Sequence, residues 1–216
     1  DGATLTTSVN NAFGSINTAV TNNLLAVTIT ENVTLRVDDV GNSGTRALSF
    51  DNAISIALDK TLTISLSSDR NSGTGLGDDT AVAFVGTIDG ATGSLLISEF
   101  DGNQSGTASA LDFQAAITLS SLIIESGDGG AGVGGALTVT DISAASTITT
   151  LTIRGGSGST TVDVAGGLMT VAAIANKISG TTFNIAGGAG AISAGGANGG
   201  NGGAVSVTTL AGEVAS

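Results

Sequence analysis

Short runs of alternating apolar and polar residues recur along this chain in two patterns that follow each other in a fixed order. One pattern, motif A, reads Ser or Thr, an apolar residue, any residue and usually a second apolar residue. Its copies begin at 4, 34, 61, 94, 121, 150 and 182. The other, motif B, reads a small residue, an apolar residue, a usually small or polar residue and an apolar residue. Its copies begin at 26, 47, 81, 110, 136, 168 and 204. Both repeat at about 30 residues, a spacing typical of solenoid proteins.

Each motif has the periodicity of a β-strand, in which alternate residues point to the same face. Positions two and four are therefore predicted to face inward and to stack on the same positions one repeat later. The ladders predicted from motif A are Leu5, Leu35, Leu62, Leu95, Leu122, Leu151, Phe183 and Val37, Ile64, Ile97, Ile124, Ile153, Ile185. The ladder predicted from position four of motif B is Ile29, Phe50, Phe84, Phe113, Val139, Val171, Val207. Its three consecutive Phe rings can stack on one another. The apolar residues that close the B copies are Val33, Ile54, Ile88, Ile117, Ile142, Ile174 and Leu210.

Stretches rich in Gly, Asn, Asp and Ser separate the strands where the chain must turn. Proline, which cannot donate to a strand ladder, is absent. The sequence therefore predicts an all-β fold, a parallel β-helix (β-solenoid) of about seven coils with about 30 residues per coil. A less regular third strand per coil is predicted at 54–58 and 146–150. Residues 1–216 are predicted to form a single domain, with the stacked coils over 26–216.

The two ends of the predicted stack differ. Residues 8–25 carry the helical stripe Val9, Phe13, Ile16, Val20 and Leu24, with Ser8 as a suitable N-cap, and predict a short helix that caps the N-terminal end. A longer loop with strand-like ends is the alternative, because Asn and Gly14 are poor helix formers. Residues 165–216 contain 13 of the 34 glycines and only Lys177 and Glu213 as charges, without a visible cap.

An uncharged and uncapped β-edge invites another strand, so either the chain continues in the natural protein or this end docks onto another copy. The residues predicted to form this assembly interface are Gly202, Gly203, Ala204, Val205, Val207 and Leu210. A homo-oligomer or polymer is expected to form through this end.

Composition narrows the classes of function. The net charge of -12 disfavours nucleic acid as a partner, since phosphate binding needs clustered Lys and Arg. No apolar run approaches the roughly 20 residues of a membrane span. The chain has neither His nor Cys, which removes Ser–His–Asp and Cys–His catalysis and most zinc sites. Residue 1 is Asp rather than Met, so either a leader was removed or the chain was trimmed, and the first of these hints at secretion.

The remaining chemistry could come only from carboxylates, Lys or a metal ion. The adjacent pairs Asp38–Asp39 and Asp78–Asp79 are weak calcium candidates, but both lie in predicted turns, where Asp commonly makes local hydrogen bonds. The runs "GGAGVGG", "GGSGS" and "GGAGA" lack the GK[ST] of a phosphate loop and are read as structural corners. We therefore predict a non-enzymatic protein without a cofactor.

The Gly/Asn-rich turns, the Thr/Val/Ile/Leu strands and the poverty in Cys and aromatic residues resemble the stacked-coil regions of bacterial surface β-helix proteins. These include autotransporter passengers and filamentous-haemagglutinin-type adhesins. The resemblance covers nearly the whole chain, rests on no single diagnostic motif, and implies a secreted, extracellular or cell-surface setting. The expected function is a structural subunit that self-assembles end to end into a filament or surface layer. The alternative is an adhesin or binding module for a carbohydrate or cell surface; a carbohydrate-active or ice-binding β-helix is less favoured.

Overall fold

Every described stretch of regular structure in this protein is a β-strand. The computed structural model describes residues 4–7, 22–24, 26–37, 46–66, 80–99, 109–128, 134, 136–158, 165–191, 200–210 and 214–215. The strands are β1 (Thr4–Thr7), β2 (Asn22–Leu24), β3 (Ala26–Ile29), β4 (Val33–Val37), β5 (Arg46–Phe50), β6 (Ile54–Ile56), β7 (Thr61–Leu66), β8 (Thr80–Phe84), β9 (Ile88–Glu99), β10 (Ser109–Phe113), β11 (Ile117–Glu125), β12 (Leu137–Ile142), β13 (Ser146–Arg154), β14 (Met169–Ile174), β15 (Ile178–Ser179), β16 (Thr182–Ala186), β17 (Val205–Leu210) and β18 (Val214–Ala215). No helix in these ranges is long and apolar enough to cross a membrane.

The strands form two parallel sheets that the chain visits in turn. One is an 11-stranded sheet with the main order β1-β3-β6-β9-β11-β13-β15-β18, and the other is a 7-stranded sheet with the order β17-β14-β12-β10-β8-β5-β2. Paired strands are separated by about 29 residues along the chain. This confirms the predicted all-β parallel solenoid. The predicted third strand also exists, as β6 and as the first half of β13.

The regular part of the stack comprises about four turns rather than the predicted seven. The regular turns are 46–66, 80–99, 109–125 and 137–154. In each of them, the described inward side chains of the strands in both sheets are buried. Beyond them the sheets continue with β14, whose inward residues are equally buried, and with strands that are shorter or more exposed, such as β15 and β17. The strand motif by itself does not distinguish a regular turn from these end strands, because both alternate apolar and polar residues.

The inward ladders of the first sheet follow the predicted register. Leu62, Leu95, Leu122, Leu151 and Phe183 are successive partners across β7, β9, β11, β13 and β16. The isoleucine ladder two residues further on is in register over the same strands. The Leu and Ile members in β7 to β13 are at most 1% exposed. Burying one such side chain contributes about 1.5–3 kcal/mol, so the ladders supply a major part of the fold's stability.

The three predicted Phe residues stack at the centre of the second sheet. The ring centroids of Phe50 and Phe84 are 5.2 Å apart with an interplanar angle of 1°, and those of Phe84 and Phe113 are 4.6 Å apart at 3°. Neighbouring strands lie about 4.8 Å apart, so the strand spacing places the rings face to face. The predicted Phe stack is confirmed.

The first repeats pair differently from the prediction. Thr4–Thr7 and Ala26–Ile29 were assigned to different motifs, but β1 pairs with β3, and β3 pairs with β6. In β4, Val33 pairs with Leu62 and Leu35 with Ile64, two residues out of step with the predicted ladder. The local alternation is the same in every strand, so it does not identify the column in which a strand lies.

The predicted helix over 8–25 is wrong at its C-terminal end, because Asn22–Leu24 is a strand that pairs with Leu48–Phe50. Leu24 therefore belongs to the second sheet and is the register partner of Phe50. Residues 8–21 lie outside the described residues. Leu24 fits both the helical stripe and a strand, so its spacing alone does not distinguish the two.

A register shift between Leu111 and Asp112 changes the later ladder of the second sheet. Leu111 pairs with Val139, whereas Phe113 pairs with Ile142. The prediction that Val139, Val171 and Val207 follow the Phe residues is therefore wrong: these valines continue the Leu111 column, and Ile142 continues the Phe column. The closing residues also divide into two groups: Ile54, Ile88 and Ile117 begin strands of the first sheet, while Ile142, Ile174 and Leu210 end strands of the second.

A buried serine, Ser146, occupies the position in β13 where the preceding turns of the first sheet have an isoleucine. Ile54, Ile88 and Ile117 are consecutive partners in the first sheet, and Ser146 occupies the next turn at 5% exposure. The Ser146 Oγ accepts a hydrogen bond from the Ile117 N–H at 3.1 Å and donates one to the Ala144 carbonyl at 3.0 Å. The hydroxyl is thus satisfied, as a buried polar group must be.

We expect Phe84→Ala to lower the free energy of unfolding by about 3–5 kcal/mol, because the change removes the middle ring of the stack and leaves a cavity that strand spacing cannot close. The matched control is Val85→Ala, whose side chain is 40% exposed, with an expected change within about 0.5 kcal/mol. Urea unfolding followed by circular dichroism measures both. Equal losses in the two variants would contradict a stability role for the Phe stack.

Candidate functional site: the last turn of the solenoid

The last turn of the stack exposes residues that occupy core positions in every earlier turn. It runs from β16 through β17 to β18. Ile153 and Val171 are 0% exposed, whereas their partners in the last turn, Ile185 and Val207, are 43% and 40% exposed. Leu210 is 55% exposed although its partner Ile174 is 1% exposed. Within the described residues, no further turn covers these three side chains.

The backbone of this turn is open as well. Strand β17 is the outermost strand of the 7-stranded sheet and pairs only with β14 among the described strands. An edge strand presents a row of unpaired N–H and C=O groups that can pair with a further strand. Backbone pairing and apolar contact are therefore both available on the same surface.

Glycines line one corner of the last three turns and replace side chains there with backbone hydrogen bonds. The Gly167 N–H donates to the Gly127 carbonyl at 2.7 Å, and the Gly156 N–H donates to the Gly167 carbonyl at 3.1 Å. The Gly203 N–H then donates to the Gly156 carbonyl, and the Gly188 N–H donates to the Gly203 carbonyl, both at 2.6 Å. This series of hydrogen bonds, the glycine relay, alternates between the two sheets. Its members come in turn from segments that follow β11, β13 and β16 of the first sheet and from segments that precede β14 and β17 of the second sheet.

This corner has no room for side chains. A Cβ on Gly156 would overlap the carbonyl oxygen of Gly127, and one on Gly203 would overlap that of Gly167. Glycine allows such close approach of two backbones because it has no Cβ. The glycine runs of the C-terminal third are thus structural, as predicted.

The glycines of the last turn carry the same backbone N–H groups, but no later turn among the described residues lies against them. In the preceding turn, the N–H groups of Gly155, Gly158 and Gly166 donate to carbonyls of the last turn. The equivalent N–H groups of the last layer belong to Gly187, Gly190 and Gly202, for which the described part of the chain supplies no acceptor. The last turn therefore carries a defined set of hydrogen-bond donors at its glycine corner.

The predicted interface residues all lie on this last turn. Val207, Leu210 and Ala204 are exposed, Val205 and Gly202 are half-buried, and Gly203 is buried. Phe183, which is half-buried, and Ile185 belong to the same surface and were not included in the predicted interface. The sequence contains a signal that identifies them, because they are the last members of the two motif A ladders.

The predicted calcium candidates Asp38, Asp39, Asp78 and Asp79 lie outside the described residues. Within the described ranges, no group of three or more Asp or Glu side chains is arranged to hold a metal ion. The calcium hypothesis therefore stays a prediction.

A polar cavity of about 330 Å³ lies beside the glycine corner, between the ends of β11, β13 and β16. Glu125 and Arg154 form an ion pair across it, with 2.6 Å between Oε1 and Nη2. The Ser157 N–H donates to Asp128 Oδ1 at 2.5 Å, and Asn184 and Gly187 complete the wall. No sequence motif marks this site, because its residues come from three successive turns.

Comparisons of this chain with models of protein families, with curated proteins and with solved structures find no match.

We expect Gly156→Ala to lower the free energy of unfolding by about 3 kcal/mol or more, because the new methyl group would force the Gly127 backbone away and break the relay. The matched control is Gly190→Ala, where the nearest heavy atom to a new Cβ, the Gly200 oxygen, is 3.8 Å away. That variant should stay within about 0.5 kcal/mol of the wild type. Denaturant unfolding compares the two, and a similarly small effect of both would contradict the tight glycine corner.

Proposed function

We propose that this protein is a non-enzymatic structural subunit that assembles end to end into a filament. The observation that carries the proposal is the open last turn, where core residues such as Val207 and Leu210 are exposed beside an unpaired strand edge. Covering apolar surface and pairing backbone groups both favour the addition of a further layer.

The strand direction favours an open polymer over a closed dimer. All described strand pairs are parallel, and the 7-stranded sheet has β17 at one edge and β2 at the other. The two ends of the stack are therefore different surfaces, and head-to-tail contact lets the strands of successive subunits continue in the same direction. A heterologous contact of this kind builds a filament when its rotation does not close a ring.

The distribution of charge favours contact at the ends over contact at the sides. Residues 2–30 carry no charged side chain, and Lys177 and Glu213 cancel in 165–216. Residues 31–164 contain 16 acidic and 5 basic residues, which leaves a net charge of -11 there. Like charges on the sides oppose lateral association, whereas the ends lack this repulsion.

The setting we propose is the outside of a cell, as a secreted or surface protein. The support is the resemblance of the strand and turn composition to stacked-coil regions of bacterial surface β-helix proteins, together with the parallel solenoid fold. A fold of this kind hosts many functions, so the setting rests on composition.

A second candidate function is a binding module that acts as a single rod, as an adhesin does. The polar cavity formed by Glu125, Asp128 and Arg154 favours this alternative. The two sites adjoin each other, since Gly187 lines the cavity and also belongs to the outermost glycine layer of the last turn.

We expect the purified protein to form regular filaments, and the double variant Val207→Asp, Leu210→Asp to remain as single particles, because it places two charges on the apolar end. Negative-stain electron microscopy and sedimentation velocity measure the outcome. The control is Leu58→Asp, which adds a charge at an apolar side chain that is 69% exposed away from the last turn.

Wild-type protein that stays as single rods at its highest soluble concentration would overturn the proposal and favour the binding module. A closed two-subunit particle would overturn head-to-tail polymerisation. Equal loss of filaments in the Leu58→Asp control would show that added charge anywhere prevents assembly. Circular dichroism of each variant checks that the fold is kept.

Salt should change the width of the filaments rather than their formation. Screening shortens the reach of charge from about 10 Å at 0.1 M to about 3 Å at 1 M, so the acidic sides repel less and filaments should form lateral bundles. Electron microscopy over this range of sodium chloride measures bundle width. Dissolution of filaments at high salt would instead indicate that charge attraction joins the subunits.

A further inference from the structure

The polar cavity on the side of the stack has the composition of a site for a small hydrophilic ligand. Its volume of about 330 Å³ lies within the range of about 300–1,000 Å³ of small-molecule sites. The register of the first sheet creates it: Arg154 pairs with Glu125 in the turn before and with Ala186 in the turn after. The small Ala186 and the following glycines leave open the space beside the guanidinium group.

The lining disfavours several ligand classes. It has no aromatic or large aliphatic side chain, so an apolar ligand would gain little. Arg154 is ion-paired to Glu125, and the lining carries a net charge of -1 from Glu125, Asp128 and Arg154. An anion would meet two carboxylates, and a divalent cation would meet a guanidinium group and only two carboxylates, one of them ion-paired.

We propose that this cavity binds a neutral pyranose residue of a saccharide. A sugar offers hydroxyl groups that both donate and accept hydrogen bonds. Glu125 and Asp128 accept them, Arg154 donates to them, and Asn184 does both. The backbone groups of Gly187 and Gly188 lie in the cavity wall without side chains to cover them. Donors and acceptors are mixed within one small cavity, as a polyhydroxylated ligand requires.

The site is held in place before any ligand binds. Arg154 is 55% exposed, but Glu125 fixes its guanidinium group at 2.6 Å. Asp128 is fixed by the Ser157 N–H on the neighbouring turn. Pre-ordered side chains lose less entropy on binding, so each hydrogen bond to the sugar contributes more.

The affinity of one site should nevertheless be weak, with a Kd on the order of 1 mM, because no aromatic ring is present to stack on the sugar face. This inference does not rest on end-to-end assembly. A filament would repeat the cavity at a fixed spacing, and multivalency would then raise the avidity for a polysaccharide.

The test is saturation-transfer NMR with the methyl glycosides of glucose, galactose, mannose and N-acetylglucosamine, together with chemical-shift mapping on the ¹⁵N-labelled Val207→Asp, Leu210→Asp variant, whose single particles give resolved solution spectra. We expect saturation transfer to at least one glycoside, with shifts at Gly155, Ser157 and Asn184. Arg154→Gln should weaken binding about tenfold or more, since it removes charged hydrogen bonds. The matched control is Lys60→Gln, which breaks an ion pair to Glu31 at 2.9 Å elsewhere on the surface.

The absence of saturation transfer to all four glycosides would overturn the inference. So would equal weakening by Lys60→Gln and Arg154→Gln, or shifts at the cavity produced by sodium sulfate or calcium chloride instead of a glycoside. Arg154→Gln lies outside the last-turn surface, so filament formation by this variant separates the outcome for the cavity from that for assembly.

Discussion

Parallel stacking in register is the constraint on which the rest of this structure depends. Across the stack, the neighbour of each residue is the residue at the equivalent position in the adjacent turn, about 4.8 Å away. Like therefore packs on like: Leu62 on Leu95, Ile64 on Ile97, and Phe84 between two other Phe rings. The narrow core needs few aromatic residues, because each ladder is continuous across the turns and fills the interior with aliphatic side chains.

The same constraint accounts for the glycine corner and for the open end. Where two backbone segments approach within hydrogen-bond distance, as at Gly156 and Gly167, a side chain in one turn would displace the next turn. The outermost layer of such a stack is covered only by a cap or by a further layer. Neither covers Ile185 and Leu210 within the described residues, which supports our proposal of end-to-end assembly.

The two surfaces that carry our proposals differ in physical character. The last turn has Glu213 as its one charged residue in the sequence and exposes apolar side chains such as Val207 and Leu210, which suits contact with another layer of protein. The cavity beside it contains Glu125, Asp128 and Arg154 and lacks large apolar side chains, which suits a small hydrophilic ligand. Both depend on small residues in the later turns. Ala186 leaves space for the cavity, and the glycines allow the close backbone contacts of the corner.

The sequence by itself determined the fold class, the inward ladders of the first sheet in β7, β9, β11 and β13, and the Phe stack, because inward positions alternate with period two and repeat at each turn. It did not determine which strands the first strands pair with, since Thr4–Thr7 and Ala26–Ile29 alternate in the same way as every other strand. The register shift after Leu111 and the cavity around Arg154 were decided only by the tertiary structure. The physical reason is distance along the chain: these features depend on which residues of neighbouring turns are paired, about 29 residues apart, and local alternation does not specify that pairing.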